Sequence, residues 1–277
     1  MKKLIALLLC LVLTGCAAGH TNPMSAPEVS EKPGKTVEIG GQIVAVDENL
    51  EQSTLTPEDF TYDPGSDRIS CKKPGTMDGI DVSSHQGEID WAAVANDYIE
   101  FAILRIGVRG YSAGAVRADA RFEENYAGCV ENGIAVGCYF FSQAISPEEA
   151  VEEAEFLLEI LDGRALDLPV VYDWEEITGE PARTDHVDKA TVTACALAFC
   201  QRIEEAGYDA MVYCNSSVGY LRYDMAQMEH LEFWFAEYES PWPSFAYDFA
   251  LWQYSCTGKV AGINGNVDLN IWFPPED

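Results

Sequence analysis

Basic residues are scarce in this chain: 17 Lys and Arg stand against 46 Asp and Glu, a formal net charge of −29. Nucleic acid and anionic membrane surfaces both call for basic patches, so neither is expected as a direct partner. Histidine is scarce as well. The four, His20, His85, His186 and His230, are scattered without ligand spacing, and no metal or other cofactor is expected. The nine cysteines contain no C-x-x-C pair. Once Cys10 and Cys16 are set aside, an odd number remains, most of them in apolar contexts such as GCYFF and CALAFC. In a protein of this size that pattern predicts buried thiols rather than a disulfide framework.

A long apolar run is also missing. The opening MKKLIALLLCLVLTGC has a basic start, an apolar stretch of about ten residues and then small residues, which suits a secretory signal and is short for a membrane span. LTGC (Leu13 to Cys16) resembles the box of bacterial lipoproteins, in which the cysteine becomes the lipidated first residue. Residues 1–15 are therefore expected as a signal peptide and Cys16 as the lipidation site. An acidic chain cannot hold itself to an anionic bilayer, so the lipid would be its only membrane contact. The expected location is outside the cytoplasm, anchored to the cell membrane and facing the cell wall. Residues 16–75 are rich in Pro, Ser, Thr, Gly and acids and read as a flexible tether with a root-mean-square span of roughly 40 Å. Within it, TVEIGGQIVAV can form a small hairpin around Gly40-Gly41.

From residue 76 to 277 the texture is that of one folded domain. MDGIDV, EFAILRIG, IAVGCYFF, LPVVYDWE and DAMVYCN read as buried strands. Helices intervene, starting at Asp90, within ADARFEENYAGCVENG, at Ser146 with a capping box to Glu149, and within DKATVTACALAFCQRIEEAG. A short helical connection is expected near residues 216–230. LEFWFAEY, DFALWQYS and NVDLNIWF then follow as strands without helices between them. Repeated β–α units predict a parallel sheet, and eight strands in about 200 residues suggest an α/β fold of the TIM-barrel type, with its chemistry at the C-terminal strand ends.

Those ends collect acids and aromatics. In DLPVVYDWEE (167–176) a strand built for a dry interior finishes in Asp173, Glu175 and Glu176. Asp173 and Glu175 are two apart and share a face, whereas Trp174 and Glu176 point elsewhere and are expected to be structural. Two acids in one small site do not both ionise easily, and glycosidic cleavage uses one protonated carboxyl beside one carboxylate. Asp81 ends the first strand and Asp268 belongs to the eighth. Tyr139, Phe141, Tyr213, Asn215, Trp234, Tyr238, Gln253 and Tyr254 are the expected substrate-binding residues of this rim, since sugars stack on aromatics and hydrogen-bond to carboxylates and amides. Arg105 is expected to pair with acids, His85 to stabilise its loop and Trp91 to lie in the core.

GIDVSSHQGEIDW (79–91), FAILRIGVRGY (101–111), FEENYAGCVENGIAVGCYFFS (122–142), PVVYDWE (169–175), MVYCN (211–215) and LWQYSCTGKVAGINGNVDLN (251–270) together resemble glycoside hydrolase family 25, the Chalaropsis-type lysozymes. The resemblance spans residues 77–273. It implies a barrel of five β/α units followed by three strands, and cleavage of the β-1,4 bond between N-acetylmuramic acid and N-acetylglucosamine in peptidoglycan; separately, a monomer is expected. It further implies Glu175 as general acid, Asp173 as stabiliser or orienter of the substrate's acetamido group, and Asp81 and Asp268 as supporting acids. Whether a carboxylate or the acetamido oxygen is the nucleophile stays open. Glu237 in WFAEY departs from the family pattern and is expected to add an acid near the rim. A barrel that binds glycan without cutting it, or a glycosidase acting on chitin, would use the same surface.

Overall fold

The computed structural model describes residues 34–274; the expected signal peptide and Cys16 lie outside the described residues. Two antiparallel hairpins come first. β1 (Thr36–Ile39) pairs with β2 (Gln42–Ala45), and β3 (Phe60–Asp63) pairs with β4 (Arg68–Cys71). Gly40 and Gly41 both have positive φ, 56° and 80°, the conformation that a two-residue hairpin turn demands and that glycine takes without strain. The hairpin expected around these residues is present.

The barrel then follows in chain order: β5 (Met77–Val82), α1 (Trp91–Asn96), β6 (Phe101–Arg109), β7 (Val116–Ala118), α2 (Phe122–Asn132), β8 (Ala135–Ser142), α3 (Pro147–Leu161), β9 (Val170–Trp174), α4 (Lys189–Glu205), β10 (Ala210–Asn215), β11 (Glu232–Ala236), β12 (Leu251–Gly258) and β13 (Val267–Trp272). The helix starts are chemically marked. Asp90 accepts from Ala93 N–H at 3.1 Å, Ser146 from Glu149 N–H at 3.4 Å and Asp188 from Thr191 N–H at 2.8 Å, each meeting one of the backbone donors a helix leaves unpaired. The capping box is displaced by one residue, because the Glu149 carboxylate takes Ile145 N–H at 3.1 Å. Between β10 and β11 the connection is a π-helical turn at Val218–Arg222 and a 3₁₀ turn at Met225–Gln227.

Strands β5, β6, β8, β9, β10, β11 and β12 run parallel in that spatial order. β13 closes the barrel and is antiparallel to both β12 and β5, while β7 is a short antiparallel flap on β6. The expected parallel sheet is thus a mixed one. The link from Gly258 to Val267 is too short for a crossover, and a short link returns the chain antiparallel. The reversal places the start of β13, and with it Asp268, at the rim where the other strands end.

Inside the barrel, Phe101, Ile103, Val171, Met211, Trp234 and Leu251 form the floor. A Cβ on Gly79 would sit 2.3 Å from the Phe101 ring, so only glycine admits that ring to the barrel axis. Outside, α2 and α3 pack on β8 and α4 on β9 and β10. Among the described residues no helix covers β11 to β13, although β12 carries Trp252 and Tyr254 on its outer face, both buried.

The N-terminal segment supplies the cover. The Phe60 ring meets Trp252 at 5.3 Å and Phe273 at 6.2 Å, both edge-on; Ser53 N–H bonds to Ala246 O at 3.0 Å, and Gln52 bridges to Tyr247. The tether expected over residues 16–75 is therefore folded from Gly34 onward, because the exposed side of a barrel without its last helices must be buried. Cys129, Cys138, Cys195, Cys200 and Cys214 are buried free thiols, as expected. Among the described residues no helix is long and apolar enough to cross a membrane.

Candidate active site

All four expected acids line one cleft of about 230 Å³ at the C-terminal rim of the barrel. Asp173 sits in β9, level with Phe141 of β8 and Tyr213 of β10, and Glu175 follows just beyond the end of the strand. The side chain between them, Trp174, is fully buried on the outer face beneath the Arg222 guanidinium, 5.0 Å from its ring centre. Arg222 also pairs with Glu176. Trp174 and Glu176 are structural, as their alternation predicts.

Asp81 is the hub of a buried network. Its Oδ2 accepts from Gln253 Nε2 at 2.7 Å and from Asn270 Nδ2 at 2.8 Å. Asn270 Oδ1 accepts in turn from Trp234 Nε1 at 2.9 Å. Gln253 Oε1 accepts from the hydroxyls of Tyr238, at 2.6 Å, and Tyr213, at 3.2 Å. Indole and phenol donors meet the amide oxygens, so both amides turn their N–H groups toward Asp81. One carboxylate thereby orients three aromatic side chains through two amides.

The electrostatics follow from crowding four acids in a dry place. Burial lifts the Asp81 carboxyl well above the usual range, and the neighbouring Asp268 lifts it further against the two amide bonds. Burial raises Asp268 to about 6, while its hydrogen bond with Asp81 pulls the other way. Asp173 is raised well above the usual range by burial, by Glu175 and by Asp81. Burial also raises Glu175, partly offset by its hydrogen bond with Asp173 and reinforced by Asp268. Within each of the two carboxyl pairs, Asp81 with Asp268 and Asp173 with Glu175, one charge opposes the other in a low-dielectric site, so ionisation of both members is disfavoured. Among the described residues, Asp173 Oδ1 is buried and meets no hydrogen-bond partner.

Of the expected substrate-binding residues, Tyr139, Phe141, Tyr213, Trp234, Tyr238 and Gln253 line the cleft. Their exposure differs. Tyr139, Tyr213 and Trp234 pack edge-to-face in the barrel, with Trp234 5.0 Å from Tyr213 and 6.0 Å from Tyr139, and Trp234 is only 1% exposed. They form a floor, while Phe141 and the 41% exposed Tyr238 present open faces at the rim. Two expectations fail. Tyr254 alternates with Gln253 and so points outward, packing against Trp252 beneath the N-terminal segment. Asn215 spends its Oδ1 on Val218 N–H, at 3.0 Å, starting the turn after β10, and it does not line the cleft.

Arg105 is a wall of the cleft and pairs with the buried Asp119 at 2.7 Å, while also donating to Ser84 Oγ at 3.1 Å. His85 lies on the rim, in a turn held by Ser83 and Gln86, and Trp91 is core. Glu237 does not add an acid to the cleft: its carboxylate takes Ser244 N–H and Oγ–H at 2.7 and 2.6 Å. Sequence reasoning missed Asn270 and Asp119. Asn270 is two residues after Asp268, and strand alternation alone points it to the same side. Among the described residues no cluster of side chains suits a metal ion.

The model of the glycosyl hydrolases family 25 matches residues 80–263. The chain is 27% identical over 194 residues to the autolytic lysozyme of Clostridium acetobutylicum, covering 70% of this chain and 55% of that protein. It therefore spans little more than half of that relative. It is also 27% identical over 273 residues to lysozyme M1 of Streptomyces globisporus, covering 94% and 85% of the two chains. Among solved structures, the bacterial lysozyme of Streptomyces coelicolor superposes with a TM-score of 0.58 at 25% identity, over 72% of this chain and 92% of that one. The spore cortex lytic enzyme SleM of Clostridium perfringens shares the fold, with a TM-score of 0.62 at 23% identity over 74% and 69%.

Proposed function

The chain belongs to the glycosyl hydrolases family 25, and from that premise we propose that it is a muramidase, cutting the β-1,4 bond between N-acetylmuramic acid and N-acetylglucosamine in peptidoglycan. The observation that carries this is the Asp173–Glu175 pair, one carboxyl buried and the other half-buried, sharing a cleft with Asp81 and Asp268. Glu175 is the general acid and Asp173 the orienting group. In the free protein Asp173 is the more deeply buried of the two and competes with Glu175 for a proton. An acetamido N–H arriving at the unpartnered Asp173 Oδ1 favours the ionised form of that carboxyl. The proton then stays on Glu175, ready for the leaving glycosidic oxygen. The positive charge that develops on the sugar is met by the acidic walls of the cleft.

The open faces of Phe141 and Tyr238 suit the apolar faces of sugar rings, and the strong negative charge of the chain suits a soluble domain working on a largely uncharged glycan. With a signal peptide over 1–15 and a lipid on Cys16, the domain would act outside the cytoplasm on wall close to the membrane. Replacing Glu175→Gln keeps size and hydrogen bonding but removes the transferable proton. Release of reducing ends from purified sacculi should then fall at least about 1,000-fold with folding unchanged, removal of a general acid accounting for much of that. Undiminished release would refute the assignment. Sacculus binding by the native chain without release would mark a lectin-like barrel, and cleavage of chitin oligomers in preference to muropeptide chains would mark another substrate.

A further inference from the structure

Glu175 lies one residue past the end of β9, so the sheet does not hold its backbone. We propose that Gln143 and Thr184 are positioning residues for Glu175, fixing its main chain where β9 gives way to the long loop before α4. The proposal rests on the muramidase reading of Glu175. Gln143 follows directly after β8, and its side chain is completely buried. Its Nε2 donates to the Glu175 carbonyl at 2.8 Å, and its Oε1 accepts from Thr184 Oγ1 at 2.9 Å. Thr184, 3% exposed, is on the far side of the loop.

The two bonds have different jobs. A backbone carbonyl can only accept, so the Gln143 amide holds Glu175 only with its N–H end turned toward it. The Thr184 hydroxyl gives the opposite end of the amide a donor and thus selects that orientation. A second layer supports the bracket. Arg183 donates to the Gln143 carbonyl at 3.1 Å and forks onto the Glu149 carboxylate at 2.7 and 2.9 Å. The geometry required of a general acid is tight, and displacement of about 1 Å by a change away from the chemistry costs about 100-fold.

The test uses the full chain and steady-state release of reducing ends from solubilised, uncross-linked glycan chains, with each variant assayed well below its own unfolding midpoint. Gln143→Met keeps volume and removes the amide; kcat should fall about 10- to 100-fold while KM stays within about threefold. Thr184→Val, which never reaches Glu175, should also lower kcat, by about 3- to 30-fold, and Thr184→Ser should recover most of the loss. The Thr184 pair carries the test by itself if Gln143→Met does not fold. Equal kcat for Thr184→Val and Thr184→Ser, or a Gln143→Met protein that is merely less stable with kcat intact, would overturn the proposal. Failure of the underlying reading looks different: there the native chain releases no reducing ends, or Glu175→Gln is fully active.

Discussion

Asp268 stands directly opposite Asp81 in the antiparallel register between β13 and β5, and the charge of Asp268 lifts the Asp81 carboxyl above its usual range. A parallel eighth strand would have carried Asp268 to the opposite end of the barrel. The reversal of one strand therefore decides that a second acid pair exists in the cleft at all.

Asp268 reaches beyond its partner. Its negative charge is one of the causes that raise Glu175, which helps the acid to keep its proton. In Asp268→Asn that charge is absent, so Glu175 should release its proton at lower pH. The alkaline limb of the pH–rate profile is expected to move toward acid, as read from kcat/KM across pH 4–9. An alkaline limb at the native position would show that Asp268 does not tune the acid.

The same substitution bears on stability with a definite sign. The folded Asp268 keeps its proton to about pH 6, against 3.8 for the ordinary group. Between those values the native state binds a proton that the unfolded chain has already released, so stability is lost as pH rises through about 6 and is restored below about 4. Asp268→Asn removes that loss. The variant should be more stable than the native protein at pH 7 by on the order of 1–2 kcal/mol, and the gap should close toward pH 4. Urea unfolding at the two pH values measures it. A less stable variant at pH 7 would show that Asp268 is not held under electrostatic stress.

Strand alternation carried much of the site. It paired Asp173 with Glu175 and set Trp174 aside, and the structure has them so. Applied consistently, it would also have turned Tyr254 away from Gln253 and brought in Asn270 beside Asp268. The signal was present in both places. The direction of β13 was less accessible, because it depends on how an eight-residue link returns, and no residue pattern encodes that. The covering role of residues 34–75 was hidden by composition. A Pro- and Ser-rich segment looks like a tether until the outward-facing Trp252 is recognised as lacking a helix above it. Gln143 carries no motif, since its role exists only where two loops meet.

The ion pair behind the bracket offers a stability test away from the cleft. Arg109 holds the fully buried Glu153 at 2.6 Å, and Ser142 donates to the same carboxylate at 2.6 Å. Burial raises Glu153 to about 7 despite both partners. Arg109→Met leaves an uncompensated buried acid and should cost about 3–5 kcal/mol above pH 8. Protonation of Glu153 relieves part of that, so the penalty should shrink below pH 6. A penalty independent of pH would mean that Arg109 matters only through packing.

The loop that carries Tyr238 is the remaining lever on substrate binding. Glu237 ties its own end of the loop to Ser244 through two bonds, and its carbonyl accepts from Trp252 Nε1 at 3.3 Å. Tyr238, next in sequence, is thereby held with its hydroxyl on Gln253, one face open to the cleft. Glu237→Ala releases the Ser244 end but leaves every cleft acid in place. Each exposed bond of this kind contributes about 1 kcal/mol, so the order lost at Tyr238 should appear as a KM about 3- to 10-fold higher with kcat nearly unchanged. Tyr238→Ala should raise KM by a similar or larger factor, and the double variant should be little worse than Tyr238→Ala alone, because both act through one ring. Additive effects in the double variant would separate the two residues and leave the loop without a share in holding the glycan.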